Sequence, residues 1–357
     1  MSSSNFEPNR FVIEESVADS PMVQQLLSRV SGAEIQFVSE VNSTSQMSAG
    51  TLEVVRFKGR FIKPCPGTSH YLCCGYQILH LGTNCSLGCT YCILQSYFPG
   101  AALRIFANMT DMWQQLEAHL RNSNRKVHRI GTGEFTDSLL LDPLTRMSEE
   151  LVPFFADQDN AVLELKTKTT NVDLLGGLEH GGHTIVAWSL NTPYLIERQE
   201  CGAASLSQRL AAAARCQAWG YRLAFHFDPL IAYPGWQQDY ADLVAQLFKA
   251  VDPAGIAWIS LGTLRFMPSL KATLFERIAD SAILGEEFIT GMDGKLRYFR
   301  DLRVEMYRHL SDLLRQGRRD LCIYLCMESD DIWREGLGFS AADRGGLVAL
   351  LDQQALP

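Results

Sequence analysis

The chain of 357 residues has no run approaching 18 uninterrupted apolar residues, so no transmembrane helix is expected. Its start, MSSSNFEPNR, lacks the basic stretch followed by an apolar run that marks a secretory signal. A cytoplasmic location is the expectation. Positive charge is in deficit: the net charge is −8, and no long nucleic-acid footprint shows in that total. A local basic groove is compatible with it. There is no internal repeat, and no low-complexity tract beyond the first few residues. With 46% hydrophobic and 20% charged residues, wholesale disorder is excluded and a sizeable core is possible.

Cysteine, by contrast, is plentiful. Ten cysteines without a secretory start read as metal ligands or catalytic groups more than as disulfides. Residues 1–60 are polar and serine-rich at first, then carry one helix-like apolar pattern around Val23–Val30. From about Tyr71 short strand-like runs recur: YQILHLG, VHRIGTGE, AVLELKTK, HTIVAWSLN, YRLAFHFDPLI and IAWISLGTLRF. Stretches with helical potential separate most of them, such as Met112–Asn122, Leu206–Trp219 and Tyr240–Val251. Alternating strand and helix predicts an α/β fold with a mainly parallel sheet, and six units suit a partial or complete barrel. Several runs end in polar residues: Glu134 and Asp137, Lys166 and Lys168, Ser189 and Asn191, His226 and Asp228, Arg265. In a parallel barrel those ends form the active face. His226 and Asp228 are candidates for contacting a ribose or substrate, for proton transfer, or for a structural hydrogen-bonded pair. We expect an N-terminal extension over residues 1–70, the barrel over 71–290 and a C-terminal module over 291–357 packing on it.

The densest sulfur lies in TNCSLGCTYCILQSY, residues 83–97, where Cys85, Cys89 and Cys92 follow the first run. Three thiolates can hold three irons of a [4Fe–4S] cube and leave the fourth iron open to a substrate or cofactor. Gly88 relaxes the backbone between the ligands. A zinc site would need a fourth ligand from elsewhere, and buried structural cysteines are the other alternative.

CxxxCxxC with Tyr91 before the last cysteine resembles the radical S-adenosylmethionine superfamily. That resemblance implies a partial (β/α)6 TIM-type barrel with N- and C-terminal extensions. It implies a cluster on Cys85, Cys89 and Cys92, whose open iron is chelated by the amino and carboxylate groups of S-adenosylmethionine. Reduction then gives methionine and a 5′-deoxyadenosyl radical. RIGTGEF, residues 129–135, is similar to the superfamily's glycine-rich stretch, which implies that Glu134 binds the amino group, with the backbone at Gly131–Gly133 close by.

A closer resemblance spans roughly residues 80–270. CTYCILQSYF, LKTKTTNVDLL, AWSLN, RLAAAARCQAWGYRLAFHFDPLI, the following PGW, and RF after the sixth run look like the spore photoproduct lyase family. It implies that Lys168 and Ser189 touch S-adenosylmethionine, with Thr136 and Asp228 as further candidates. It implies a damaged thymine dimer in DNA as substrate, and a reductant such as flavodoxin or ferredoxin. The chain departs from the family in two places. The lyase cysteine that returns a hydrogen atom to the product radical aligns with Glu134, and a carboxylate is a poor hydrogen-atom donor. The tyrosine that follows the last cluster cysteine is here Ile93, while Tyr91 remains. Cys201, Cys216 or Cys326 could stand in for the missing thiol; we take Tyr91 and Cys326 as the catalytic candidates.

Two further groups have competing explanations. Cys65, Cys73 and Cys74 could join Cys322 and Cys326 in a second cluster, since residues four apart on a strand face one side; small buried residues are the alternative. Lys295, Arg297, Arg300 and Arg303, with Arg308 beyond, form the clearest basic segment. With Tyr298, Phe299 and Tyr307 interleaved they suit a nucleic-acid backbone and an extruded base, or else an ordinary amphipathic helix. Two alternatives to DNA repair stay open: the same radical chemistry on a different nucleotide or small molecule, and a non-catalytic iron–sulfur or zinc redox module.

Overall fold

The structure is a computed structural model that describes residues 6–41, 50–67, 70–98, 102–277 and 284–357. The chain begins with β1 (Arg10–Glu14), β2 (Glu34–Val38) and β3 (Thr51–Val55), followed by β4 (Ile62–Pro64) and β5 (Gln77–Leu79). β6 (Gly82–Thr83) and β7 (Leu103–Phe106) flank the cysteine loop. Then come β8 (His128–Gly131), β9 (Ala161–Thr167), β10 (Thr184–Ser189), β11 (Arg222–Leu230) and β12 (Ile256–Thr263). Short strands β13 (Arg265–Phe266), β14 (Phe288–Thr290) and β15 (Leu296–Tyr298) precede the last, β16 (Ile323–Leu325).

The main sheet runs β16-β12-β11-β10-β9-β8-β5-β4, and every neighbouring pair is parallel except β4 with β5. All six runs expected to be strands lie in it. β4 and β16 are its two edges, so the sheet curls without closing, as a partial barrel does. Strands β9, β10 and β12 read as nearly continuous apolar runs because parallel strands are covered on both faces. Helices 206–218 and 236–250 supply outer cover where the apolar pattern predicts them. Helix 206–218 starts at a capping box, in which Ser205 and Gln208 satisfy each other's backbone N–H groups.

Both boundaries expected from the sequence are crossed by strand pairing. The N-terminal segment forms a second sheet, β2-β1-β3-β7-β6, and its last two strands come from beyond residue 80. At the other end β16, from the expected C-terminal module, pairs with β12 and completes the main sheet. Strands this short gain stability only in a sheet, so each takes the edge nearest to it in space rather than in sequence.

Candidate active site

The strand ends enclose a cavity of about 280 Å³. Cys85, Cys89 and Cys92 line one side of it; Glu134, Thr136, Lys168, Ser189 and Asp228 also reach it. The cysteine loop is pinned at both flanks. Asn84 N–H donates to the Phe135 carbonyl at 2.8 Å, which ties the loop to the end of β8. Gly202 N–H donates to Leu87 O at 3.0 Å, and Thr90 N–H to Gln199 O at 2.9 Å. Gly88 takes φ 66°, the left-handed turn that lets the loop double back between its ligands.

The three thiols fit an iron–sulfur cube. Among the described residues no three His, Cys, Asp or Glu side chains converge on a point that would hold a single ion. A cube asks for a different arrangement, with each thiolate on its own iron. Burial pushes all three thiols upward, Cys89 to about 12. They ionise only against a compensating positive charge, which is what bound iron supplies.

Around the loop the polar side chains are paired. Lys168 Nζ donates to Glu200 Oε1 at 2.7 Å and to Tyr91 Oη at 3.1 Å. Glu200 is buried and also accepts from Arg209 and from the Tyr91 hydroxyl. So Tyr91, a catalytic candidate, is an anchor of the cluster loop in this arrangement. Glu134 faces Lys166 at 3.4 Å. Burial alone would lower Lys166, but Glu134 and Glu164 outweigh it and raise the ammonium further. Asp137 holds the chain after β8 in place, accepting from the N–H groups of Leu139, Leu140 and Lys168 and from the Thr167 hydroxyl.

On the far side of the cavity, Asp228 is clamped by Arg265, with contacts at 3.1 and 2.9 Å. His226 Nε2 lies 2.7 Å from Glu164 Oε1. Burial would raise Glu164, yet His226 and Lys166 hold it below the usual carboxylate range. Cys326, Cys65 and Cys74 line this side too. Of the thiols that could replace the missing donor, only Cys326 lies in the cavity: Cys201 is exposed elsewhere, and Cys216 is buried in helix 206–218.

Some expectations are corrected here. Gly131 does not line the cavity, although Gly133 does; a Cβ at Gly131 would lie 1.7 Å from Tyr76 Oη. Glycine is required at 131 by packing. Cys322 opens onto a different pocket, beside Arg319 and Arg344, so it and Cys326 do not share a side. The reason is that β16 spans only residues 323–325, and both cysteines lie beyond its regular alternation. The basic segment is not a surface stripe. Arg297, 1% exposed, pairs with Asp293 at 2.7 Å; Arg303, 7% exposed, pairs with Glu328; Arg300 pairs with Glu335. Lys295 points into the cavity. Tyr298 and Tyr307 are buried, their hydroxyls accepting from Ala232 and Thr263 N–H groups. Arginine tolerates such burial only with a carboxylate partner, and Glu328 lay outside the stretch that looked basic.

Glu200 was missed. In ERQECG it looks like any loop carboxylate, because Tyr91 lies 109 residues away and Lys168 lies 32 away.

A family model described as "Spore photoproduct lyase" matches residues 70–283. This chain belongs to the spore photoproduct lyase family. A spore photoproduct lyase of Geobacillus sp. (strain Y412MC61) is 25% identical over 284 residues, 76% of this chain and 83% of the relative. A solved spore photoproduct lyase complexed with dinucleoside spore photoproduct superposes with TM-score 0.78 at 22% identity, covering 90% of this chain and 99% of that one. A double mutant of the lyase with bound AdoMet and dinucleoside spore photoproduct matches with TM-score 0.79 at 22% identity and the same coverage. The lyase fold thus extends well past the segment that the family model matches.

Proposed function

We propose that this chain is a radical S-adenosylmethionine lyase that reverts the thymine–thymine spore photoproduct in DNA. One observation carries this reading: three cysteine thiols from one loop share a cavity with Glu134, Thr136, Lys168 and Ser189 from three successive strand ends. Cys85, Cys89 and Cys92 would hold a [4Fe–4S] cluster, which would supply the reductive cleavage of S-adenosylmethionine that starts radical chemistry on the adduct. Glu134 offers a carboxylate to the ammonium group of the cofactor. Ser189 and Thr136 offer hydroxyls, and Asp228, braced by Arg265, offers a second carboxylate. The electron comes from a reductant of the flavodoxin or ferredoxin class. Membership of the spore photoproduct lyase family and the dinucleoside bound in a solved relative support the choice of substrate.

The test uses anaerobically reconstituted protein, reduced in the presence of S-adenosylmethionine, with and without an oligonucleotide carrying the adduct. Cluster-dependent 5′-deoxyadenosine with repaired thymines is expected, and both should vanish in Cys89→Ala. Deoxyadenosine without repair would favour the second reading, a different nucleotide or small molecule. That reading draws on the ion-paired state of Arg297, Arg300 and Arg303, which leaves this segment without the basic face expected for DNA. Absence of deoxyadenosine from a cluster-filled protein would defeat both.

A further inference from the structure

The cavity has two sulfur walls. One is the cysteine loop. The other is built from Cys65, Cys74 and Cys326, with Tyr76 and Tyr324 beside them. The proposed reaction ends on a carbon radical that must receive one hydrogen atom. Glu134, ion-paired with Lys166, is a carboxylate with no hydrogen atom to give, and the N–H bonds of the Lys166 ammonium are too strong to yield one to a carbon radical. Cys85, Cys89 and Cys92 are committed to iron. Tyr91 is held by Glu200 and Lys168, and the cavity thiols outside the cluster loop lie on the second wall, which is where a thiol donor would come from.

Within that wall Cys326 has the best placement. It follows β16 and so belongs to the ring of strand-end residues that includes Glu134, Lys168, Ser189 and Asp228. Cys65 follows the antiparallel strand β4, and Cys74 precedes β5, so neither belongs to that ring. Its backbone is fixed by an N–H donated to Leu261 O at 2.9 Å. The next residue, Met327, has φ 54°, a left-handed conformation that is costly for a side chain of this size. Arg297 holds the Met327 carbonyl at 2.9 Å, and Lys295 Nζ lies 3.7 Å from its sulfur. The buried cations that looked like nucleic-acid contacts thus brace the kink that presents Cys326.

Two more features point to a ligand here. Arg265 Nη2 lies 3.4 Å from Cys326 Sγ while it clamps Asp228, linking the thiol to the Asp228 carboxylate. Tyr76, a side chain more than nine-tenths buried, lines the same cavity, and its hydroxyl, packed against Gly131, has no hydrogen-bond partner in the protein. Such a group is left for a bound molecule to satisfy.

We propose that Cys326 donates the hydrogen atom that quenches the substrate radical. This rests on the radical-lyase reading above. The Cys326 S–H bond breaks, a C–H bond forms on the thymine-derived radical, and a thiyl radical remains. One electron from the reductant that cofactor cleavage already requires, with one proton from solvent, restores the thiol. Burial pushes Cys326 to about 12, so its sulfur keeps the hydrogen at neutral pH.

The test uses cluster-loaded enzyme equilibrated in D2O, followed through one turnover with the dinucleoside adduct. Wild type should place one deuterium in the repaired thymine. Cys326→Ala should keep its cluster absorption and still form 5′-deoxyadenosine, with thymine per deoxyadenosine lowered roughly tenfold or more. Cys326→Ser should behave the same, at nearly unchanged side-chain size. Cys201→Ala, outside the cavity, should match wild type. Unreduced enzyme gives a second readout: saturating adduct should shield Cys326 from maleimide while Cys201 continues to react. Normal coupling and deuterium transfer in Cys326→Ala would overturn the proposal, as would loss of deuterium in Cys65→Ala or Cys74→Ala instead, or no shielding of Cys326. Wild type that makes no thymine would defeat the functional reading itself, and this proposal with it.

Discussion

Glu200→Gln removes one oxygen charge from the centre of the molecule, and the structure fixes what that should cost. The carboxylate is buried and shared by Lys168, Arg209 and the Tyr91 hydroxyl. Burial alone would raise its pKa, but Lys168 and Arg209 more than offset this and hold it at about 2, against 4.5 for the free side chain. At about 1.4 kcal/mol for each tenfold step, the ionised form contributes about 3 kcal/mol. The same size follows from breaking a buried ion pair, about 3–5 kcal/mol, because Arg209 would keep its charge without a partner. For a chain of this length an unfolding entropy of about 2.1 cal/mol/K per residue turns 3 kcal/mol into a Tm loss of about 4 °C. The folded-state pKa is depressed. The contribution is therefore complete above pH 4.5 and fades as pH falls towards 2. Scanning calorimetry of wild type and variant from pH 7 down to pH 3 should show a gap that holds to about 4.5 and narrows below. Adding Arg209→Met to Glu200→Gln should recover part of the loss by removing the stranded charge. A variant within about 1 °C of wild type at pH 7 would refute the reasoning, and so would a gap insensitive to acid. Because Tyr91 precedes Cys92 on the cluster loop, the variant should also bind less iron on reconstitution.

Other consequences can be checked directly. Arg297→Ala and Arg303→Ala should each destabilise the fold by about 3 kcal/mol or more in denaturant melts, while Arg300→Ala, on the surface, should leave the melt nearly unchanged; equal effects would contradict their burial. Gly131→Ala would put a Cβ 1.7 Å from Tyr76 Oη and 2.8 Å from the Glu164 carbonyl, so poor soluble yield or a large Tm loss is expected, and a normal melt would show that Tyr76 moves freely. Cys73 is exposed; a hydrogen bond from Cys74, the Gly75 N–H and nearby Arg129 and Arg125 outweigh burial and lower it to about 6. Its alkylation rate should rise through about pH 6 and level off near 7. A rate still climbing tenfold per pH unit above 7 would indicate an ordinary thiol.

The six barrel strands were legible because each is covered on both faces and so reads as an apolar run of the right length. Their polar ends were legible for the complementary reason, that strand ends in a barrel meet a shared cavity. Pairings set by distance in space were not. β16 reads as a strand in LCIYLCMES, but nothing local assigns it to β12, which ends 60 residues earlier, so it was placed in a separate module. The arginines of 297–303 were misjudged for a related reason. A run of cations with interleaved aromatics has the same appearance whether it faces DNA or pairs inward with Asp293 and Glu328.

The cavity divides by strand, and that division bears on how this chain differs from its family. Cysteines from the loop after β6 and side chains from the ends of β8, β9 and β10 form the wall assigned to initiation. Arg265, Lys295, Cys326 and Met327, from the chain after β12 through the residues just after β16, line the cavity as well. A thiol at position 134 would deliver its hydrogen from the initiation side, beside the cofactor. A thiol at 326 would deliver it from the end of β16 instead, in the same cavity. Relocating the donor needs no change in the cluster loop or in the strand ends that meet the cofactor. It does need rigid backing for that thiol, because a hydrogen atom is transferred only at contact distance. The ion pairs of Arg297 with Asp293 and of Arg303 with Glu328 supply that rigidity around Met327. The ion pairs that keep Arg297 and Arg303 from forming a basic face on this segment are, on this account, the ones that fix its hydrogen donor.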